Sequence, residues 1–373
     1  MASKKVLVTG GAGFVGAHLA EELLRKGYHV RALDNLSPQV HGQNALRPSY
    51  LSPEVEMVQA DLCDREAVQK ALKGVHGVVH LAAMVGVGQS MYEIAKYTTA
   101  NNLGTAVLLE VLIEHPVESL VVASSMSLYG EGLYRDANGN LCAGSERTLE
   151  QLKSRDWEVR DANGDILTPV PTPETKTPSL ASVYALSKFD QERMCLLIGR
   201  AYKIPTIALR FFNIYGPYQA LSNPYTGVLA IFASRLLNNN PPLINEDGLQ
   251  KRDFVSVHDV ALACRLALEK PQAAGLVFNV GSGHHFTIRE VAERMARALG
   301  RQHIAAEITG KYRMGDIRHC FADISRAREI LGYHPHVTFE AGLAELAEWL
   351  EGQAAEDRVG QASAELAARG LTV

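Results

Sequence analysis

Residues 6–16, VLVTGGAGFVG, decide the fold of this chain. This apolar run and glycine-rich turn lead into a helical pattern, AHLAEELL at residues 17–24, and a second apolar run, VRAL at residues 30–33, ends at Asp34. Glycine adopts the backbone conformations of a tight turn easily and leaves the amides of a helix start open to a pyrophosphate. Three glycines fill these positions: Gly10, Gly13 and Gly16. The pattern predicts a dinucleotide-binding site.

Asp34 indicates which dinucleotide is bound. It lies about 20 residues after the turn, where a carboxylate accepts hydrogen bonds from both ribose hydroxyls of NAD and repels the extra phosphate of NADP. We therefore expect NAD. Asp61-Leu62 follows the third apolar run and Leu81-Ala82-Ala83 follows the fourth, so we expect the first pair at the adenine and the second group along the cofactor. Both segments also fit ordinary strand ends.

Six apolar, β-rich runs alternate with helical patterns, at residues 6–8, 30–33, 55–58, 77–81, 120–124 and 206–210. Such alternation predicts an α/β fold with a Rossmann-like, doubly wound parallel sheet. We expect an NAD-binding domain over residues 1–216, and a smaller α/β substrate-binding lobe over 217–351 with elements that return to the core. In the lobe we predict helices over 227–237, 287–299 and 339–350, and strands at 243–244 and 277–280. Residues 352–373 form a tail without a core-forming pattern, which fits a frayed helix or disorder.

The segment from about residue 131 to 177 has the character of an insertion. It is rich in turns and charges, and it contains two similar phrases, RDANGNL at 135–141 and RDANGDIL at 160–167. The second resembles a calcium-binding loop, but Ile166 and Thr172 stand where that loop requires glycine and glutamate. We therefore predict two Asn-Gly hairpin turns and no metal site.

Composition excludes several classes of protein. The chain has 373 residues, a formal net charge of −4 and interspersed charges, which argues against a nucleic-acid partner. No apolar run is long enough for a membrane span, and the start MASKK lacks the apolar core of an export signal. The five cysteines lack paired metal-ligand spacing. These features favour a cytoplasmic protein without a membrane partner.

The chemistry-bearing residues are Tyr184, Lys188 and Ser125. The first two are four residues apart, which places them on one face of a helix, and Ser125 ends the run VVASS, whose strand would deliver it to the same crevice. A phenol has an ordinary pKa of about 10, so it needs a nearby ammonium and the positive nicotinamide ring to act as a base at neutral pH. Lys188 supplies the ammonium and can bind the nicotinamide ribose. Together they form a proton-transfer set for an alcohol.

With these motifs the chain resembles the extended short-chain dehydrogenases/reductases of the nucleotide-sugar epimerase and dehydratase branch, over roughly residues 4 to 350. Further matching sequence segments are DNL at 34–36, NNLGT at 101–105, SSMSLYG at 124–130, RFFNIYGP at 210–217 and QKRDF at 250–254. The resemblance implies that Tyr184 is the base, that Lys188 assists it and that Ser125 holds the substrate hydroxyl. The predicted cofactor contacts are Gly10, Gly13, Phe14, Val15, Asp34, Asn35, Asp61, Leu62, Leu81, Ala82, Ala83, Asn101, Ser124, Tyr184, Lys188 and Phe211.

The resemblance also implies a nucleotide-diphosphate sugar as substrate. Two arginine forks suit a diphosphate, and in related epimerases Arg252 and Arg313 match the residues that grip it, while Asp316 matches the residue that holds the nucleotide ribose. The predicted substrate contacts are Ser125, Phe212, Asn213, Arg252, Arg313 and Asp316. A homodimer is implied as well, with the apolar stretches at 105–113 and 183–198 as its interface.

The residues after Ser125 indicate the reaction. Related dehydratases carry an Asp-Glu pair there and related decarboxylases a glutamate, whereas this chain has Met126 and Ser127. This argues against both eliminations and favours 4-epimerisation through a transient 4-keto intermediate. Text at 129–134, 221–228 and 315–320 resembles the dTDP-L-rhamnose 4-epimerases, which form dTDP-6-deoxy-L-talose. A UDP-sugar 4-epimerase of the UDP-glucose or UDP-glucuronate type and an NAD(P)-dependent 4-ketosugar reductase stay open, and so does a non-catalytic scaffold.

Overall fold

The computed structural model describes residues 4–43, 45–221, 223, 227–312, 316–351, 353, 357 and 359–372. The strands in chain order are β1 (Lys5–Thr9), β2 (His29–Asp34), β3 (Glu56–Gln59), β4 (Gly77–His80), β5 (Ser119–Ser125), β6 (Leu133–Arg135), β7 (Leu141–Ala143), β8 (Thr168–Val170), β9 (Thr206–Phe211), β10 (Asn213–Tyr215), β11 (Leu243–Ile244), β12 (Lys251–Arg252), β13 (Phe254–Ser256), β14 (Val277–Val280), β15 (Phe286–Thr287), β16 (Glu307–Ile308) and β17 (His319–Cys320).

The helices in chain order are α1 (Phe14–Arg25), α2 (Pro38–His41), α3 (Arg65–Leu72), α4 (Val87–Ser90), α5 (Ile94–Tyr97), α6 (Gly104–Glu114), α7 (Leu149–Lys153), α8 (Val183–Tyr202), α9 (Val228–Leu237), α10 (Val257–Leu268), α11 (Ile288–Ala298), α12 (Phe339–Leu350) and α13 (Val359–Ala368). A π-helical turn over Thr98–Leu103 precedes α6, and a 3₁₀ turn over Met126–Tyr129 follows β5.

A seven-stranded parallel sheet forms the centre, in the order β14-β9-β5-β4-β1-β2-β3. All seven residues of β5 are buried, as expected for a strand that is covered on both faces. The order reverses between β1 and β4, and ligands of such sheets bind in the crevice beyond the carboxyl ends at this point. The predicted α/β fold and its six strand runs are confirmed.

Two apolar layers cover the two faces of the sheet. On one face α1 and α10 pack together through side chains such as Leu19, Val260 and Cys264. The other face is covered by α3, α6 and α8, which contribute Val68, Leu108 and Cys195.

Beyond Gly216 the chain moves between a second lobe and the main sheet. The lobe core is formed by α9, α11 and α12, whose buried side chains include Phe232, Met295 and Leu343. The predicted helices over 227–237, 287–299 and 339–350 and the strand at 243–244 are confirmed. The strand at 277–280 forms as β14, but it lies at the edge of the main sheet and not in the lobe. The domain boundaries at residues 216 and 351 stay a prediction.

The insertion contains a three-stranded antiparallel sheet, β7-β6-β8. One predicted hairpin turn joins β6 to β7, with Gly139 at a φ of +87°. The second lies between Arg160 and Ile166, which pair in antiparallel orientation, with Gly164 at a φ of +89°. In that turn the carboxylate of Asp161 accepts the Asn163 and Asp165 amides. Both hairpin predictions are confirmed.

The tail has more structure than its composition indicates. It forms α13, and Leu366 on this helix is buried. A Cβ added to Gly88 in α4 would lie 3.2 Å from Leu366 Cδ2, so the tail packs directly on α4. Among the described residues, no helix is both long and apolar enough to cross a membrane.

Candidate active site

The glycine turn brings β1 and α1 into close contact. Gly10 has a φ of +67°, and a Cβ on it would lie 3.0 Å from the backbone of Ala82. A Cβ on Gly16 would lie 2.3 Å from the Gly10 carbonyl oxygen. Gly13 precedes α1, whose first residues are Phe14 and Val15 and whose first turn carries no acidic side chain. The amides of this turn and the positive end of the helix dipole therefore suit a pyrophosphate.

Asp34 lies at the carboxyl end of β2, beside this turn. Its carboxylate accepts the backbone amides of Ala12 at 3.1 Å and Leu36 at 2.9 Å, which fixes its orientation. Asn35 donates to Asp61 Oδ2 at 2.9 Å, so these two predicted adenine-side residues lie together, with Leu62 buried next to them. The arrangement fits the adenosine half of NAD.

The segment after β4 passes close to the glycine turn. Leu81 and Ala82 donate their amides to the backbone oxygen and hydroxyl of Thr9 at 3.1 and 3.2 Å, and Ala83 follows them. Asn101 is buried, accepts the Met84 amide at 2.7 Å and donates to the Ser187 hydroxyl at 2.9 Å. Its side chain therefore ties this segment to the helix that carries Tyr184.

Ser125 and Tyr184 meet at the carboxyl end of β5. Their side chains form a hydrogen bond. Ser125 Oγ also accepts the amide and the hydroxyl of Ser127, at 3.2 and 2.9 Å. Because these two bonds occupy the lone pairs of Ser125, its own proton is directed toward the phenol oxygen. Burial raises the pKa of Tyr184, and the hydrogen bond from Ser125 opposes that effect.

Lys188 lies one turn along α8 and is buried. Its Nζ donates to Gln191 Oε1 at 2.7 Å, which leaves two N–H groups for other acceptors such as ribose hydroxyls. Burial lowers the pKa of Lys188 to about 8, while Glu192 and the Cys195 thiol on the same helix favour its charged form. The ammonium is thus mostly protonated at neutral pH, as the predicted support of a phenolate requires.

Gln191 belongs to a buried chain of hydrogen bonds. Its Nε2 donates to Thr105 Oγ1 at 2.8 Å, and the Thr105 hydroxyl lies 2.9 Å from His80 Nε2. The Nδ1 of His80 lies 2.7 Å from the Thr9 hydroxyl at the end of β1. Burial lowers the pKa of His80 to about 3, so the imidazole is neutral. This series of hydrogen bonds connects Lys188 to β1, the strand that precedes the glycine turn.

The remaining predicted residues surround the same crevice. Phe211 ends β9 opposite Ser125, and Phe212 is buried beside it. The side-chain oxygen of Asn213 is buried and has no hydrogen-bond partner among the residues that the structure describes, which suits a ligand contact. The Ser124 hydroxyl donates its proton to Glu192 at 2.6 Å, so its side chain cannot donate to a cofactor at the same time.

Arg252 and Asp316 lie together on the lobe side. Arg252 donates to the Arg318 carbonyl at 2.9 Å and to the Ile317 carbonyl, and one of its nitrogens lies 4.0 Å from Asp316 Oδ1. Arg313 lies outside the described residues. The pair at 252 and 316 combines a positive fork with a partly exposed carboxylate, which suits a diphosphate next to a ribose.

Sequence reasoning missed Gln191, His80 and Ser127. Gln191 has a signal, because it lies three residues after Lys188 on the same helix face. His80 and Ser127 have no such signal in the sequence spacing. His80 reaches the site through sheet pairing, and Ser127 reaches it through a 3₁₀ turn.

The fold and site together define a dinucleotide-dependent enzyme that moves a proton and a hydride between an alcohol and its ketone. The model of the NAD dependent epimerase/dehydratase family matches residues 6–149 and 163–281. The chain belongs to this family, and its cofactor is NAD.

Similar proteins point in the same direction. The dTDP-L-rhamnose 4-epimerase of Burkholderia thailandensis is 36% identical over 93% of this chain and 95% of its own. A putative UDP-glucose 4-epimerase of Methanocaldococcus jannaschii is 30% identical over 93% of this chain and 98% of its own. Among solved structures, the UDP-glucose 4-epimerase of Thermus thermophilus in complex with NAD has a TM-score of 0.72 at 30% identity, covering 94% of this chain and 100% of that one.

Proposed function

We propose that the protein is a 4-epimerase of a nucleotide-diphosphate sugar, with dTDP-L-rhamnose as its substrate and dTDP-6-deoxy-L-talose as its product. The observation that carries the reaction type is the composition next to Ser125. Met126 and Ser127 follow it, both are buried, and neither can donate or accept a proton as a carboxyl group does. An elimination needs such an acid, whereas epimerisation needs only removal and return of hydrogen at one carbon.

The proton steps are assigned to Tyr184. Its phenolate takes the proton of the C4 hydroxyl, Ser125 holds that oxygen, and the Lys188 ammonium stabilises the phenolate. Bound NAD would supply the acceptor and donor for the C4 hydride. The planar 4-keto sugar would turn in the site and present its opposite face to the cofactor, and Tyr184 would give the proton back.

The nucleotide end of the substrate is assigned to the lobe. Arg252 and Arg313 would neutralise the diphosphate, and Asp316 would accept hydrogen bonds from the nucleotide ribose. Phe212 and Asn213 would border the sugar and the nicotinamide. The choice of dTDP-L-rhamnose is supported by the Burkholderia relative at 36% identity. A UDP-sugar substrate is the second candidate, since a Thermotoga maritima UDP-glucose 4-epimerase solved with UDP-glucose has a TM-score of 0.75 at 29% identity, covering 93% of this chain and 98% of that one.

The experiment separates these candidates. The purified protein is incubated with dTDP-L-rhamnose, UDP-glucose, UDP-glucuronate or UDP-N-acetylglucosamine, and NMR follows the configuration at C4. We expect inversion with dTDP-L-rhamnose and no net change in cofactor redox state. If only a UDP-sugar is inverted, that UDP-sugar is the substrate instead of dTDP-L-rhamnose. If none of the four compounds is inverted, the proposal is overturned. Stoichiometric loss of NADH with a 4-ketosugar would favour the reductase.

The proposal includes a cytoplasmic homodimer. On α8, Leu186 and Leu197 are 46% and 44% exposed, and their spacing of three helical turns places them on one face. Leu103, before α6, is 50% exposed. Apolar side chains of this size on neighbouring helices suit a helical interface between two copies. Light scattering should give twice the chain mass, and Leu186→Asp with Leu197→Asp should give a monomer.

A further inference from the structure

The insertion contacts the part of the lobe to which the nucleotide is assigned. The family match is interrupted over residues 150–162, which include Trp157, whereas Arg147 and Glu131 lie within the matched range 6–149. Among the contacts of the insertion with the lobe are those of a buried arginine, an aromatic ring and a buried carboxylate.

The arginine is Arg147, whose side chain is only 2% exposed. One guanidinium nitrogen donates to the Asp316 carbonyl at 3.0 Å. The other lies 2.9 Å from the carboxylate of Glu246 and donates to the Trp157 carbonyl at 3.2 Å. The Arg147 guanidinium therefore holds the backbone of Asp316 against the insertion, and the buried Glu246 carboxylate of the lobe fixes the guanidinium.

The ring is Trp157, which packs with Leu152 and Tyr312 in a small apolar cluster. The Trp157 and Tyr312 ring centroids are 6.1 Å apart. The Glu246 amide donates to the Lys311 carbonyl at 2.8 Å, next to that tyrosine. Tyr312 and Asp316 are thus each fixed by the insertion, from two separate contacts.

The carboxylate is Glu131, at the start of the insertion. It is buried and accepts the amides of Arg318 and His319, at 2.6 and 3.2 Å. Arg252 donates to the carbonyls of Ile317 and Arg318, in the same stretch. The insertion therefore binds the backbone on both sides of the Arg252 contact, through Arg147 at Asp316 and through Glu131 at His319.

We propose that the insertion is a clamp for the nucleotide end of the site, in which Arg147 and Trp157 are positioning residues that hold Asp316 and Tyr312 in place for a nucleoside diphosphate. This inference rests on the proposed function, because it takes the lobe as the nucleotide-binding side. The partners of Arg147 and Trp157 described above do not include Tyr184 or Lys188, so the clamp is expected to govern nucleotide affinity rather than the hydrogen transfer.

The test uses the purified, NAD-containing protein and the sugar-free probes dTDP and UDP in calorimetric titrations. Arg147→Lys keeps the charge opposite Glu246 but loses the fork that reaches Asp316, and Trp157→Leu removes the ring from Tyr312. Each should raise the Kd of the nucleotide that the wild type binds by about tenfold, since each loses a buried contact. In turnover, KM should rise by a similar factor while kcat stays within about twofold.

Arg135→Lys is the matched control, because Arg135 is an exposed arginine of the same insertion whose side chain donates to the Gly139 carbonyl within its own hairpin turn. This variant should bind dTDP and UDP with the same Kd values as the wild type. Unchanged Kd values in both variants, or a loss of bound NAD together with nucleotide affinity, would overturn the clamp, since the second result means that the whole fold is affected. A wild type that binds neither dTDP nor UDP would overturn the proposed function itself.

Discussion

Replacing Gln191 by leucine tests how the protein keeps Lys188 protonated. The structure gives the lysine one protein acceptor, Gln191 Oε1 at 2.7 Å, among the described residues. The groups that face the ammonium are Glu192 and Cys195 on α8 and neutral His80 from β4, and none of them changes in the variant. The leucine therefore removes a single neutral acceptor from a buried charge.

The magnitude follows from that bond. A hydrogen bond to a charged group contributes about 1.5–3 kcal/mol, so its loss lowers the pKa of Lys188 by roughly 1 to 2. Starting from a pKa of about 8, half of the lysine is protonated at pH 8 in the wild type. In Gln191→Leu this fraction falls to about 1–10%, and kcat at pH 8 should fall by about 5- to 50-fold. At pH 6 the loss should be no more than about twofold.

The assay is kcat for C4 inversion, measured from pH 5.5 to 9.5 at saturating substrate. Gln191→Glu is the counterpart, because a carboxylate raises the pKa of Lys188 and should move the alkaline limb of the profile to higher pH. Gln69→Leu, on the exposed surface of α3, is the matched control. If Gln191→Leu lost the same factor at pH 6 and pH 8, the residue would be only structural, and the reasoning would be refuted.

Three further perturbations test separate parts of the site. Tyr184→Phe should lower kcat about 10²- to 10⁴-fold with little change in KM, and an unchanged rate would remove the tyrosine from the reaction. Asp34→Ala should lower the preference for NAD over NADP by about tenfold or more, as measured by the Kd of each cofactor on the cofactor-free protein. Because His80 is neutral in the fold with a pKa of about 3, unfolding takes up a proton below pH 6.5, so its contribution to stability is present above that pH and is lost as pH falls. Between pH 6.5 and 5, the free energy of unfolding measured in urea should fall by about 2 kcal/mol more for the wild type than for His80→Asn. Equal decreases in the two proteins would contradict this account.

The fold was predictable because its signals are local. The glycine turn, the apolar strands and the spacing of Tyr184 and Lys188 each lie within a few residues, and the parallel sheet carries them to one crevice. The hairpin turns of the insertion were predictable for the same reason, since Asn-Gly specifies a turn by its own backbone preferences.

What sequence reasoning missed depends on contacts between distant residues. Gln191, Thr105 and His80 form one hydrogen-bonded chain across three elements. Gln191 can be inferred from Lys188, three residues earlier, but the positions of Thr105 and His80 in the sequence do not reveal their contact. The same holds for Arg147 and Asp316, which are 169 residues apart. For the tail, the sequence left a frayed helix and disorder open, and it does not reveal that Leu366 on α13 packs on α4.

The central claim is that hydrogen leaves C4 and returns to the same carbon. dTDP-L-rhamnose that carries deuterium at C4 is incubated with the NAD-containing protein in ordinary water, and the product is analysed by NMR and mass spectrometry. The account predicts inverted C4 with the deuterium retained. Inversion with loss of deuterium to the solvent, or no inversion of this or any other nucleotide sugar, would contradict it.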